Sequence, residues 1–175
     1  SYTGATRLAA EACSRIGAGL VTVHSRSPAH VYRATLPADI MVRDDELSAL
    51  NRPSTILAGP GGCNDAQAAA LSDLSYPIDL VLDADVIRFC QTQTAQSCII
   101  TPHEGEFDRY FGGRSVDAEA RASDAASASG VIVVLKGPQT VIAAPDGRRV
   151  LNMTASPYLA KAGTGDVLAG LITGL

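Results

Sequence analysis

The sequence predicts an α/β domain built on a mainly parallel sheet. Short apolar, β-branched runs alternate with helical periodicity along most of the chain. Several of those runs are apolar throughout instead of alternating with polar residues, as in strands covered on both faces. A single late turn signal, Pro145-Asp146-Gly147, separates two further runs and marks an antiparallel hairpin.

The elements follow in order. From Thr3, the residues Ala5, Leu8, Ala9, Ala12, Cys13 and Ile16 recur at three- and four-residue steps, the period of an amphipathic helix, and Gly17 and Gly19 stop it. Leu20 to His24 reads as a strand. The segment from His24 to Arg52 has weak periodicity and reads as a surface-biased connection. Thr55 to Ala58 is a buried strand, Asp65 to Leu74 an Ala-rich helix, and Asp79 to Leu82 a short apolar strand. Cys98 to Ile100 forms the next strand, with helices over Glu104 to Phe111 and Val116 to Ser129. Val131 to Leu135 is a strand covered on both sides, and Val141 to Ala144 pairs with Arg149 to Asn152 across the turn.

The chain has 175 residues, 46% hydrophobic and 18% charged, enough apolar material for one core and too much for a disordered or collagen-like chain. A formal net charge of -4 and a pI near 5.2 argue against a nucleic-acid surface, which needs a positive field. Cys13, Cys63, Cys90 and Cys98 show no Cys-x-x-Cys pair, and His24, His30 and His103 do not cluster beside them, so free thiols in a reducing cytoplasm are expected, with no zinc site. No apolar run approaches the roughly 20 residues of a membrane-spanning helix. The chain opens on Ser1 and stops inside a predicted helix at Leu175, so residues 1–175 are expected to be one domain incomplete at both ends.

The chemistry is expected at the strand ends. Gly59-Pro60-Gly61-Gly62, Asp83-Ala84-Asp85, the run Thr101 to Glu106, and Lys136-Gly137 each follow a predicted strand. In an open parallel sheet ligands bind outside the carboxyl ends of the strands, so these clusters converge on one edge. Gly59 to Gly62 taken alone is equally a tight turn. The segment Ala162-Gly163-Thr164-Gly165-Asp166 opens directly into an apolar helix, whose first-turn N–H groups and partial positive charge suit phosphate oxygens. Asp166 is either a first-turn acid favoured by the helix dipole or a base beside a bound phosphate. The segment is not the triphosphate-binding loop in which Gly-Lys precedes Ser or Thr, because no Lys follows the last Gly. Lys136, one of only two lysines, either points its ammonium at phosphate or snorkels to the surface. His103 and Glu106 are either a helix cap with a first-turn carboxylate or a pair that orients substrate and hydrated Mg²⁺.

Together, Thr3-Gly4-Ala5, Gly17 to Val21, Gly59-Pro60-Gly61, Leu82 to Asp85, Thr101 to Phe107, Leu135 to Val141 and Gly163 to Gly170 resemble, in order and spacing, the ribokinase-like superfamily and within it the ADP- or ATP-dependent NAD(P)H-hydrate dehydratases. The resemblance implies a three-layer sandwich with helices on both faces of the sheet. It implies a metabolite-repair hydro-lyase that phosphorylates the ring hydroxyl of hydrated NADH or NADPH and then eliminates phosphate. By position, Asp166 is implied as the base, and Gly163, Thr164 and Gly165 as the anion hole for the transferring phosphoryl group. Lys136, Gly137, Pro138, Gln139 and Thr140, with Gly165, are implied on the nucleotide side. Ala5, Gly61, His103 and Asp166 are implied on the substrate side, and Glu106 as a contact to Mg²⁺ through water. The implied co-substrate is ADP or ATP, and the implied partners are a fused or separate NAD(P)H-hydrate epimerase and further copies of the chain, with no nucleic acid and no membrane. Two alternatives remain open: a ribokinase-like kinase of a vitamin precursor or sugar, and a nucleotide-binding module without turnover.

Overall fold

A computed structural model describes residues 2–25, 28–45, 53–74, 76–92, 95–112 and 117–175. Its elements run α1 (Thr3–Ile16), β1 (Val21–His24), α2 (Ala29–Thr35), β2 (Ile40–Arg43), β3 (Thr55–Ala58), α3 (Asp65–Ser72), β4 (Asp79–Leu82), β5 (Ser97–Ile100), α4 (Glu104–Phe111), α5 (Ala118–Ser129), β6 (Ile132–Leu135), β7 (Thr140–Ala143), β8 (Arg149–Asn152) and α6 (Thr164–Gly174). The main sheet has the order β3-β4-β5-β6-β7-β8. Strands β3 to β6 are mutually parallel, and β7 and β8 are added antiparallel across the expected hairpin.

The uniformly apolar strands are uniform because both faces are covered. Leu80, Leu82, Ile100, Val133 and Leu135 belong to one core cluster with Ala68 and Leu71 of α3, Phe107 of α4 and Ala122, Ala125 and Ala126 of α5. Alternation along a strand sends Val81 and Val134 to the opposite face, where they are also buried. That face meets α6, which packs on β3 and β4 and buries Ala169. Each fully buried Leu, Ile or Val side chain contributes roughly 1.5–3 kcal/mol relative to exposure.

Helices α1 and α6 lie against each other at backbone distance. Gly170 and Gly174, four residues apart and so on one face of α6, meet the backbone of Ala9 and Cys13 on α1. A methyl on Gly170 would overlap the Ala9 carbonyl oxygen and lie 2.8 Å from its carbon, and one on Gly174 would lie 2.7 Å from the Cys13 carbonyl oxygen.

The expectation of a featureless connection from His24 to Arg52 is corrected. Residues 29–43 form α2 and β2, and β2 pairs in parallel with β1 as a separate two-stranded sheet. Ala29, Tyr32 and Ile40 are buried there. A seven-residue helix places only Ala29 and Tyr32 inside, too few positions to establish a period; residues 46–52 lie outside the described set. Two helices are trimmed. The third ends at Ser72 instead of Leu74, and α5 begins at Ala118 with Asp117 accepting from the Glu119 N–H, while Val116 lies outside the described residues. Residues 84–92 form a 3-10 helix that the sequence reading left unassigned, burying Val86, Ile87 and Cys90.

Candidate active site

The parallel strands deliver their carboxyl ends to one edge. Asp83 directly follows β4, Thr101 follows β5 and Lys136 follows β6, and the Lys136 N–H donates to the Pro102 carbonyl at 2.8 Å. Asp83 is only 5% exposed. Its Oδ1 accepts from the Thr101 hydroxyl at 2.7 Å and from the Lys136 ammonium at 2.9 Å. The charge-assisted bond defines where Lys136 points, and its side chain, one-fifth exposed, does not snorkel to the surface. Two backbone features accommodate this corner: Ala84 takes a left-handed φ of 54°, and Gly59 at φ 125° packs against the Asp83 carbonyl group with no room for a Cβ.

Opposite lies the start of α6. Gly163, left-handed at φ 92°, is the N-cap residue and Asp166 sits in the first turn. The Thr164 hydroxyl lies 2.9 Å from the carbonyl oxygens of both Leu159 and Lys161 and donates to one of them, fastening the turn to the preceding loop. Lys136 Nζ stands over Gly165, 3.4 Å from where a Cβ would project. An ammonium and a helix N-terminus thus face the same volume, an electrostatic setting for an anion. Asp166 is the acid within that field. Partial burial pushes its carboxyl above the usual carboxylate range, the Asp83 charge pushes it further, and Lys136 acts in the opposite direction.

Beside Asp166, a cavity of about 480 Å³ opens between the first turns of α1 and α6, lined among others by Tyr2, Ala5, Leu8, Gly163 and Asp166. It is a shallow depression, wide open to solvent on the side away from the two helices. One wall is tied to the Gly59–Gly62 loop: the Tyr2 N–H donates to the Gly61 carbonyl at 3.0 Å, and the Thr6 hydroxyl donates to the Pro60 carbonyl at 2.9 Å. Tyr32 of α2 donates in turn to the Thr6 hydroxyl at 3.0 Å.

Of the residues singled out from sequence, Gly163, Thr164, Gly165, Asp166 and Lys136 come together, and Ala5 joins Asp166 at the cavity. Gly61 touches the cavity wall through Tyr2 and Thr6. Gly137 continues from Lys136 into the exposed Pro138 and Gln139, and Thr140 begins β7 opposite Asn152. His103 realises the capping alternative: its Nδ1 accepts from the N–H groups of Gly105 and Glu106, and Glu106 Oε2 accepts from the His103 N–H at 2.9 Å. The other Glu106 oxygen faces His103 Nε2 at 3.5 Å. No group of three or more His, Cys, Asp or Glu among the described residues is arranged to cage a metal. Asp83 and Thr101 were not singled out as site residues. An acid directly behind the three apolar strand residues Leu80, Val81 and Leu82 was the available signal, because a buried carboxylate needs a partner to remain charged.

Comparison with known proteins places this geometry. The family model described as NAD(P)H-hydrate dehydratase matches residues 1–175. The bifunctional NAD(P)H-hydrate repair enzyme of Methanopyrus kandleri is 36% identical over 99% of the chain, and that of Salinibacter ruber is likewise 36% identical over 99%. The chain spans 38% and 37% of the length of these two relatives. Among solved structures, the ADP/ATP-dependent NAD(P)H-hydrate dehydratase of Bacillus subtilis, co-crystallised with ATP and Mg²⁺, superposes with a TM-score of 0.85 at 31% identity, covering 99% of this chain and 67% of that one. A ribokinase-like superfamily protein of Enterococcus faecalis gives a TM-score of 0.83 at 28% identity, covering 99% and 66%. The fold is ribokinase-like, and the chain belongs to the NAD(P)H-hydrate dehydratase family.

Proposed function

We propose that the chain carries nucleotide-dependent dehydration of hydrated NADH or NADPH, with ADP or ATP as phosphoryl donor. The observation that supports this most is the convergence of the Lys136 ammonium and the Gly163–Gly165 turn beside Asp166 at the wall of that open cavity. Asp166 accepts the proton of the ring hydroxyl as that oxygen forms a bond to the transferring phosphorus and the bond from phosphorus to the nucleotide breaks. The first-turn N–H groups of Thr164 and Gly165 and the Lys136 ammonium face the phosphoryl oxygens, where fixed donors typically contribute a few kcal/mol. The C–O bond then breaks with phosphate as leaving group, the ring nitrogen supplies electrons, a ring proton departs and the double bond reforms. Hydroxide alone leaves poorly, which is why phosphorylation comes first.

On the substrate side, Ala5 and Asp166 line the cavity and Gly61 is bonded to its Tyr2 wall, and His103 is assigned to the same side by the family resemblance. The stretch from Lys136 through Gly137, Pro138, Gln139 and Thr140, with Gly165, borders the nucleotide phosphates. Glu106 Oε2 serves the cap of α4 and Oε1 lies 3.5 Å from His103 Nε2, so this carboxylate would contact through water an ion that keeps its hydration shell, as Mg²⁺ does. A hydrated Mg²⁺ held near Glu106 would supply charge neutralisation to the phosphates. Residues 1–175 belong to the dehydratase domain in this reading, and an epimerase that interconverts the hydrate epimers is its natural companion.

Incubating the protein with hydrated NADH, Mg²⁺ and either ADP or ATP tests the proposal. Recovery of reduced-nicotinamide absorbance with equimolar inorganic phosphate is expected. A stable phosphorylated vitamin precursor or sugar, with no recovery from the hydrate, would establish a kinase instead.

A further inference from the structure

Two carboxylates compete for one ammonium at the sheet edge. Lys136 lies 2.9 Å from Asp83 and is also near enough to Asp166 to act on its charge. We propose that Asp83 is a positioning residue: by holding the Lys136 ammonium over the Gly163–Gly165 turn, it prevents that ammonium from pairing with Asp166 and leaves Asp166 free to accept a proton. The role given to Asp166 rests on the function proposed above.

The competition is settled by burial and by a third group. Asp83 is almost inaccessible and receives the hydroxyl of Thr101, itself fully buried, on the same oxygen that takes the ammonium. Without its cation, Asp83 would be a buried unpaired charge, a costly state, whereas Asp166 is half-buried and retains access to water. The backbone leaves Asp83 little freedom, since its N–H donates to the Ala58 carbonyl at 3.0 Å and Gly59 packs on its own carbonyl group. Among the described residues that line the cavity, Asp166 is the charged one, and the wall from α1 presents Tyr2, Thr3, Gly4, Ala5 and Leu8. Asp83 and Lys136 are the charges that act on Asp166, in opposite directions. A carboxylate locked to an ammonium is a poorer proton acceptor, so the pairing that Asp83 enforces is the productive one.

The substitution Asp83→Asn tests this by keeping an acceptor for Thr101 while deleting the charge that holds Lys136. In carbon-13 NMR the Asp166 carboxyl titration should move to lower pH by more than Asp83→Asn moves it in a Lys136→Gln background, where only loss of the Asp83 charge acts, and the Kd for ADP should rise on the order of tenfold, as expected when a charge-assisted contact to phosphate is displaced. The acid limb of the kcat/KM profile should shift to lower pH, with a lower plateau. In a Lys136→Gln background, Asp83→Asn should leave the ADP affinity unchanged. An Asp166 titration that moves no further than it does in the Lys136→Gln background, or effects of the two substitutions on ADP affinity that simply multiply, would overturn the proposal. If Asp83→Asn fails to fold, Thr101→Val decides: removing the hydroxyl that anchors Asp83 should weaken ADP binding in the same direction, and an unchanged ADP affinity in a folded Thr101→Val protein sinks the idea. The titration and ADP-binding measurements need no turnover, so a parent protein inactive on the hydrate would count against the proposed function without deciding this point.

Discussion

Adding one methyl to Gly170 tests how closely the site depends on the contact between α1 and α6. In Gly170→Ala the new carbon would stand 2.8 Å from the carbonyl carbon and 2.9 Å from the Cα of Ala9, while overlapping the Ala9 carbonyl oxygen. Carbon contacts settle at about 3.5–4.0 Å, so the two helices must separate by about 1 Å locally. The obstacle is helix backbone and cannot rotate away. Overpacking of this kind costs about 1–3 kcal/mol, and the better helix propensity of Ala offsets about 1 kcal/mol. With backbone on both sides the upper end applies, leaving a net loss of about 2 kcal/mol and a Tm lowered by about 4–8 °C for a chain of this size. Because Ala5 and Leu8 lie on one helix and Asp166 on the other, KM for the hydrate should rise in the same variant. Thermal unfolding and steady-state kinetics on one preparation provide the assay, with Gly19→Ala as control, since nothing stands within 4 Å of a Cβ at that position. A Gly170→Ala protein as stable as the control would refute the reasoning.

Asp166→Asn should lower turnover by two to four powers of ten, the usual contribution of a placed general base, while nucleotide affinity holds or tightens; near-parental single-turnover rates would remove Asp166 from the mechanism. The same substitution should raise Tm at neutral pH. Folding pushes the Asp166 carboxyl above its ordinary value, so the folded state holds the proton longer and stability falls as pH rises from the unfolded to the folded midpoint. Denaturation across that acidic window should show the parent losing ground against the Asn variant, and parallel curves would contradict it. Lys136→Ala should weaken ADP binding, measured calorimetrically, more than it changes Tm, although loss of the Asp83 partner adds some destabilisation. All four thiols should react under denaturing, non-reducing conditions, while Cys98, buried and pushed up to about 12, should be unreactive in the native protein. Fewer than four thiols after denaturation would indicate pairing.

What could be read from the sequence depended on whether a signal was local. The strand ending in Leu80-Val81-Leu82 was recognisable because strands covered on both faces carry unbroken apolar runs, and the α6 start because glycine followed by an apolar run is a statement about one helix end. Tyr32 shows the other case. Its burial depends on β1, β2 and α1 meeting around it, and its hydroxyl reaches Thr6 across 26 positions of chain, a relation that no window of residues contains. Asp83 was visible as part of a strand-end cluster, but its importance comes from Thr101 and Lys136 arriving on neighbouring strands. His103 and Glu106 carried both readings at once, since the capping spacing and a substrate-facing pair use the same residues, and only coordinates reveal which nitrogen the helix occupies.

The cavity walls come from α1 and from the first turn of α6, and the helices touch at Ala9 and Gly170, about 160 residues apart in the chain. During synthesis the sheet strands can pair as they emerge, yet the pocket has only one wall until α6 has left the ribosome. Contacts of such long sequence separation form late because a large loop must close before they contribute. A nascent chain therefore exposes the apolar face of α1, including the surface destined for Gly170, for as long as the residues between α1 and α6 are being made. That interval is where a chaperone would have most to protect, and where ligand has no formed pocket to stabilise.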